Sequence, residues 1–398
     1  MKAAISISRK VSAMKLIVRN FRSIREQTLE IAPITVIFGA NATGKSSVLY
    51  ALLTLKNIVL NPNQPVDAFF TYGFLGLGNF KAVVFDHNEQ NPIELGIEVD
   101  EITYIVTTML NAGKFLLMTE GLSIELPVAF PYPANAYEER RWNEFKVIWN
   151  GLLAQVEPFN TTAEMQSQAQ RLSSRLNKPV ELLRATDIVP LRRGFTKPNY
   201  GAVSISPMLF TDDEVATLLA NDKYLAGKVG AYLERISGKD LRVHVQLGTA
   251  IFSLDALDKE TRTTCELVNE GFGVNQLAFL LAKSLRSDVR LVGIEEPEIH
   301  LHPSAQRKLA QELVRIKTEE SKHFIITTHS EVFVTAFLAE VARGNLRSDE
   351  IACYLATKDS KEARFERQRV DEHGGIEGGL RAFMESELED LKVFFGLE

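Results

Sequence analysis

The sequence predicts an α/β fold in which two distant stretches of chain meet on one parallel sheet around a phosphate-binding loop. Three observations carry this. Gly39-Ala40-Asn41-Ala42-Thr43-Gly44-Lys45-Ser46-Ser47 fits the pattern G-x-x-x-x-G-K-[ST]. It follows an apolar, β-branched run, Ile34 to Phe38, and precedes a helical run, Ser46 to Leu55. Far downstream, Leu291 to Ile294 is a buried-type strand ending in Glu295-Glu296-Pro297-Glu298, and Phe324 to Thr328 is another, ending in His329. A helical stretch separates these two strands, which is the spacing of a right-handed βαβ crossover.

The loop comes first in the argument. Its backbone N–H groups and the following helix N-terminus form a nest for polyphosphate. Gly39, Asn41, Ala42, Thr43, Gly44, Lys45, Ser46 and Ser47 are therefore the expected nucleotide-binding residues. Lys45 is expected to reach the β- and γ-phosphates, and the Ser46 hydroxyl to sit on Mg²⁺. An acid at the C-terminal end of a strand beside such a loop is placed to hold that Mg²⁺, and the next acid to activate water. Glu295 is accordingly expected at the metal and Glu296 at the water. The βαβ spacing puts His329 on a neighbouring strand end, near the γ-phosphate. The implied cofactors are ATP and Mg²⁺.

Composition bounds the rest. A chain of 398 residues is long enough for two or three lobes, and 45% hydrophobic with 24% charged residues is ordinary for a globular protein. No apolar run approaches a membrane span, and Met1 to Ala13 lack the apolar core of a signal peptide. Two cysteines cannot build a disulfide framework, so a cytoplasmic location is expected. A net charge of −6 argues against coating nucleic acid everywhere but leaves room for a local basic stripe.

Along the chain, residues 14–135 read as the first half of the head. They comprise an opening strand from Lys15, a second short strand from Leu29, the loop with its helix, and several strand-like runs between Ala82 and Pro127. The hairpin turn Asn111-Ala112-Gly113 supports an antiparallel sheet beside the loop. Residues 136–240 read as a mainly helical insertion. Residues 136–185 read as helical, with Trp142, Phe145, Ile148, Trp149, Leu152 and Leu153 on a helical period, and a second helical region runs from Asp212 to Ser237. No heptad pattern persists, so no coiled-coil arm is expected. Residues 241–398 read as the second half of the head, with helices over 276–286 and 304–317 and strands over 290–294 and 323–328. Leu380, Phe383, Met384, Leu388, Leu391 and Phe395 have the spacing of a closing amphipathic helix.

Together the motifs resemble the ABC-type ATPase head of RecF- and SMC-like proteins. More narrowly, the chain is similar to short prokaryotic AAA-type ATPases related to the OLD family. The resemblance rests on Asn20-Phe21-Arg22-Ser23-Ile24, the loop at Gly39, and Gly271-Phe272-Gly273-Val274-Asn275-Gln276. It also rests on Glu295 through Pro303, Thr327-Thr328-His329-Ser330, and the segment Val189-Pro190-Leu191-Arg192-Arg193. The fold it implies is an ABC-type P-loop NTPase head, a mixed sheet with a flanking antiparallel β subdomain. It also implies a homodimer, or a pair with a homologue, with two ATP molecules sandwiched between facing heads. Gly273 and Asn275 would then open a helix aimed at the partner's γ-phosphate, and the His300 to His302 loop would cross the interface. Phe272 departs from the serine usual in such signatures, and no glutamine matches the Q-loop. OLD nucleases carry a Toprim domain after the head. The residues after His329 hold no D-x-D pair, so no nuclease activity is expected and cutting would need a separate partner.

These readings imply an ATP-driven switch acting in DNA maintenance or anti-phage defence, through DNA or a separate nuclease or effector. The alternative is a nucleotide-sensing scaffold with negligible hydrolysis. Arg184, Arg192, Arg193 and Lys197 leave three readings open: a contact to a nucleic-acid backbone, a solvated loop, or arginines directed at the nucleotide. His300 and His302 near three glutamates admit a metal site as well as an ordinary loop before Pro303.

Overall fold

A computed structural model describes residues 14–377 except 111, 210 and 247. The Met1–Ala13 tail, the turn residue Asn111 and the closing helix expected near Leu380 to Phe395 lie outside the described residues.

The central sheet has six strands in the order Thr186–Val189, Leu291–Glu295, His323–Thr328, Ile34–Phe38, Ile351–Asp359 and Glu362–Gln368. The first five run parallel, and the last returns antiparallel. Parallel strands are covered on both faces, which explains their continuous apolar runs. Alternate residues feed two cores: Ile34, Val36 and Phe38 face one, and Ile37 faces the other. Helices Lys45–Leu60 and Phe272–Ser284 pack on opposite faces, Leu49 and Leu52 in the core of Ile37, and Leu277 and Leu281 in the core of Ile34, Val36 and Phe38.

A second six-stranded sheet is antiparallel. Its order is Ile24–Ile31, Met14–Phe21, Ile93–Val99, Ile102–Thr108, Gly113–Thr119 and Leu122–Val128. It buries one face against the loop helix, which gives its strands the alternating pattern of a half-solvated sheet. The tight turn of its first hairpin, with Asn20 and Arg22 at φ 53° and 54°, hydrogen-bonds to the end of the central sheet. There the Ala363 N–H donates to the Ser23 carbonyl at 2.7 Å. The molecule is thus a mixed α/β fold with a flanking antiparallel β subdomain, as expected.

Two expectations for residues 136–240 fail. The stretch from Trp142 to Leu153 is not helical. Glu138–Trp142, Phe145–Trp149 and Ala154–Pro158 form a three-stranded antiparallel sheet. The spacing of its large side chains fits a helix and a hairpin equally, and the turns decide. Asn143 and Gly151 both adopt positive φ, 55° and 86°, and end each strand. The sheet is fastened to helix Ala163–Arg184 through Asn177, whose amide both accepts from and donates to the Ala154 backbone. In addition, Thr186–Val189 lies inside the expected insertion yet forms the edge of the central sheet. Four residues are too few to announce a strand by period. The helical region from Asp212 is present as two helices, Asp212–Asn221 and Lys223–Ser237. The Val83 to Phe85 run contributes only an isolated bridge, Phe21 to Val84.

Two buried lysines tie the central elements together. Lys56 Nζ donates to the Thr186 carbonyl, and Lys322 Nζ to the Arg286 and Val289 carbonyls. Burial pushes both amines down from 10.5 to about 8. Between those values the unfolded chain binds more protons than the folded one, so stability should rise with pH over that window. The expected result is a higher urea midpoint at about pH 9.5 than at about pH 8, before tyrosine ionisation opposes it. A midpoint that is flat or falls would remove the two lysines from the pH dependence.

Candidate nucleotide site

The site lies at the C-terminal ends of three adjacent strands. Ile34–Phe38 runs into the loop, His323–Thr328 into His329, and Leu291–Glu295 into Glu296. The register aligns Thr328 with Phe38 and Glu295 with Thr327, so the three ends are level.

Backbone geometry makes the loop. Gly39, Ala42 and Gly44 have φ of 146°, 63° and 93°. A Cβ on Gly39 would stand 2.3 Å from the Ala356 carbonyl oxygen of the neighbouring strand, and one on Gly44 2.6 Å from Ser23 Oγ. Only glycine fits either place. Gly44 is the residue before helix Lys45–Leu60, and the helix N-terminus opens into a cavity of about 350 Å³. Asn41 through Ser47 and Glu296 line that cavity. Lys45 is buried, and its Nζ donates to the Gly39 carbonyl at 2.9 Å and the Ala40 carbonyl at 2.8 Å. Desolvation lowers its pKa, opposed by the charges of Glu296 and Glu298.

The two acids are placed differently from each other. Glu296 sits in the cavity wall with φ 43°, and its N–H donates to the Thr327 carbonyl at 2.9 Å. Glu295 is buried beneath the site. Its Oε2 accepts from Tyr50 Oη at 2.8 Å and from the Leu191 N–H at 3.2 Å. Burial and the Glu295 charge push the Tyr50 phenol far up, so Tyr50 stays a donor. The metal expectation for Glu295 therefore meets a carboxylate already held by a tyrosine and a backbone amide. Ser46 and Glu296 supply hard oxygens on the cavity itself, the donor type that suits Mg²⁺.

His329 Nδ1 is 3.5 Å from Glu296 Oε2 and 3.5 Å from Glu298 Oε1. Glu298 is the residue the sequence reading gave no role. It is buried, accepts from Thr328 Oγ1 at 2.6 Å and from the His329 N–H at 3.0 Å, and leaves Oε2 without a partner. It fixes the histidine from behind.

Three further cavity residues escaped the sequence reading: Arg22, Ser23 and Lys358. Arg22 and Ser23 come from the first hairpin's tip, inside the quoted Asn20-Phe21-Arg22-Ser23-Ile24 segment. Arg22 lies over the Tyr50 ring at 5.3 Å, with a buried Nη1 that has no partner. Lys358 arrives on the fifth strand of the sheet, where nothing in its neighbours marks it.

The signature segment needs a correction. Gly271 precedes helix Phe272–Ser284 as expected. Gly273 packs against the Glu298–Pro303 loop, since a Cβ there would stand 2.8 Å from the His300 carbonyl oxygen. Asn275 is not free to meet a nucleotide. It is buried, its Oδ1 accepts from the Phe195 N–H at 2.6 Å, and its Nδ2 donates to the Phe195 and Leu267 carbonyls at 2.9 and 3.0 Å. Phe272 is 73% exposed, and its ring lies 5.4 Å from the His300 ring. His302 caps the following helix, accepting from the Ser304 N–H. Among the described residues no group of three His, Cys, Asp or Glu is placed to hold a metal ion, so the His300/His302 metal reading has no support.

Of the basic residues that left three readings open, Arg193 is resolved. It turns inward onto the carbonyls of Pro190, Glu295 and Glu296. Lys197 pairs with Asp213 at the surface.

Among the described residues, no helix is long and apolar enough to cross a membrane. No curated protein matches the chain. Solved structures similar to it include the SMC head domain from Thermotoga maritima (12% identity, 89% of this chain and 98% of that one, TM-score 0.41). An SmcHead bound to the C-winged helix domain of ScpA matches at 11% identity, over 90% of this chain and 98% of that one, TM-score 0.47. A Pyrococcus furiosus Smc head domain with an extended coiled coil, bound to the C-terminal domain of ScpA, matches at 10% identity, over 96% and 99%, TM-score 0.43. The family model described as "AAA domain, putative AbiEii toxin, Type IV TA system" matches residues 34–335, from the loop strand to the helix after His329. The chain belongs to this family of AAA ATPase domains.

Proposed function

We propose that the chain is an ATP-hydrolysing molecular switch whose heads close face to face on ATP and reopen after hydrolysis. The observation that carries this reading is the meeting of Lys45, Glu296 and His329 at three level, adjacent strand ends. In the proposed reaction Lys45 leaves the Gly39 and Ala40 carbonyls for the β- and γ-phosphates. Mg²⁺, held by Ser46 and reached through water by Glu295 or Glu296, would neutralise phosphate charge. Glu296 takes the proton from the attacking water, and its position beside His329 keeps it aimed at the γ-phosphate side. Gly273 and the start of its helix complete the site of a second copy, with Phe272 supplying an aromatic surface where a hydroxyl is usual. Hydrolysis is slow because it waits for that assembly.

The family description names a type IV toxin–antitoxin system, which favours a defence setting over DNA maintenance. The output would pass to DNA or to a separate effector protein. The direct test is phosphate release together with sedimentation, with and without ATP and magnesium. Slow release and an ATP-dependent dimer are expected, and a monomer under all conditions would overturn the switch.

Arg22 and Lys358 add two cations to a cavity shaped for polyphosphate. Arg22→Ala or Lys358→Ala should each weaken ATP binding about tenfold, the scale of one charge-assisted hydrogen bond. Adenosine affinity should be unchanged. Equal losses for ATP and adenosine in a binding titration would mean that the cations do not read phosphate.

A further inference from the structure

Arg193 is half-buried, with Nε enclosed and without a partner, and its charge is used in an unusual way. Nη1 donates to the Glu295 carbonyl at 2.7 Å and the Pro190 carbonyl at 3.0 Å, and Nη2 donates to the Glu296 carbonyl at 2.8 Å. Among the described residues it makes no ion pair within 4.0 Å. A guanidinium aimed at carbonyls gives up solvation that the charges of Glu298, Glu295 and Glu296 offset only in part, so its main contribution is not to stability. Burial pushes it down to about 10, so it remains a cation at neutral pH. What it does hold is conformation. The Glu296 backbone is at φ 43°, a left-handed region that is unfavourable for a non-glycine residue and persists only where neighbours impose it. Two neighbours do so here: Thr327 accepts the Glu296 N–H, and Arg193 donates to the Glu296 carbonyl.

The loop carrying Arg193 is itself tied down from the other side. Two residues on, both backbone groups of Phe195 are bonded by Asn275, near the start of helix Phe272–Ser284. Gly194 between them has φ 120°, and a Cβ there would stand 2.8 Å from Asn275 Oδ1. The strap from Pro190 to Phe195 thus joins two places: the turn that aims Glu296 and the helix whose start faces outward.

We propose that Arg193 is a positioning residue that pins the Glu295–Glu296 turn through its carbonyls, and that Asn275 makes this pin depend on the seating of the Phe272–Ser284 helix. Resting on the ATPase reading, this explains how engagement of a second copy at that helix reaches the water-activating carboxylate of the same chain. The carboxylate is aimed only when the helix is seated.

The test uses Arg193→Ala and Arg193→Lys in the full chain. Lysine keeps the charge but cannot span the Glu295 and Glu296 carbonyls together. Both variants should lower kcat about 10- to 100-fold, the usual cost of losing a group that orients a reacting one, with KM for ATP changed less than about twofold. Without nucleotide, amide hydrogen exchange should accelerate over 296–301 and stay unchanged over 39–47. Millimolar guanidinium should restore part of the rate to Arg193→Ala and none to Lys45→Ala. An unchanged kcat with unchanged exchange would overturn the proposal. So would a general loss of protection that guanidinium does not reverse, since that marks a purely structural residue. If Arg193→Ala does not fold, Arg193→Lys decides, and wild-type exchange over 296–301 refutes the pin. A wild type that does not hydrolyse ATP would refute the ATPase reading alone, because exchange over 296–301 tests the pin without it.

Discussion

Glu296→Gln is expected to lower ATP hydrolysis about 100-fold or more, the scale of losing a positioned general base. ATP binding should change by no more than a few fold. The substitution keeps the shape and removes only the ability to accept a proton. Glu296 Oε2 lies 3.5 Å from His329 Nδ1, and the side chain lines the same cavity as Lys45. Neither contact needs the charge to hold the loop's geometry, so phosphate binding survives. A head that binds and cannot hydrolyse should stay closed, and the variant should elute as an ATP-dependent dimer that persists after the wild type has reopened. Phosphate release and size-exclusion chromatography read both effects on one sample. Wild-type release from the variant would remove Glu296 from the chemistry. Negligible release from both proteins, with an ATP-dependent dimer in each, would replace the hydrolytic switch with a nucleotide-sensing scaffold.

The parts of this site that were legible in the sequence are those whose chemistry is confined to a short stretch. The loop at Gly39 and the strand ends at Glu296 and His329 each combine an apolar run with a polar terminus, and parallel topology levels those ends. The parts that were not legible depend on pairs remote in sequence. Tyr50 lies on the loop helix and reads as a core aromatic, yet its hydroxyl meets Glu295. Glu298 reads as one more acid after Pro297, and its task appears only when the adjacent strand delivers Thr328 and His329 to it. Asn275 reads as a signature residue by resemblance. The structure spends its amide on Phe195, which lies in a different part of the chain. The Trp142 to Leu153 misreading has another cause. Aromatic spacing in a short hairpin coincides with a helical period, and Asn143-Glu144 and Asn150-Gly151 were the turn signals that break the tie.

Lys45→Ala should show the opposite pattern to Glu296→Gln: ATP affinity falls about 10- to 100-fold and no dimer forms. Lys45 is 6% exposed, and its amine is held by the Gly39 and Ala40 carbonyls at the mouth of the helix. Burial lowers its pKa, so an ammonium there is under-solvated and gains strongly from a phosphate oxygen. Losing it removes that gain and leaves two carbonyls facing a small hole that water can fill. The fold should therefore survive, and a titration of ATP by calorimetry is a fair measure. Undiminished affinity would refute the loop as the phosphate site. The double variant Lys45→Ala/Glu296→Gln sharpens the order of events. If binding must precede closure, the double variant behaves as Lys45→Ala alone and stays monomeric at ATP concentrations that saturate the wild type. A dimer in the double variant under those conditions would mean that the heads close without the triphosphate, and the nucleotide would then be a consequence of closure instead of its cause.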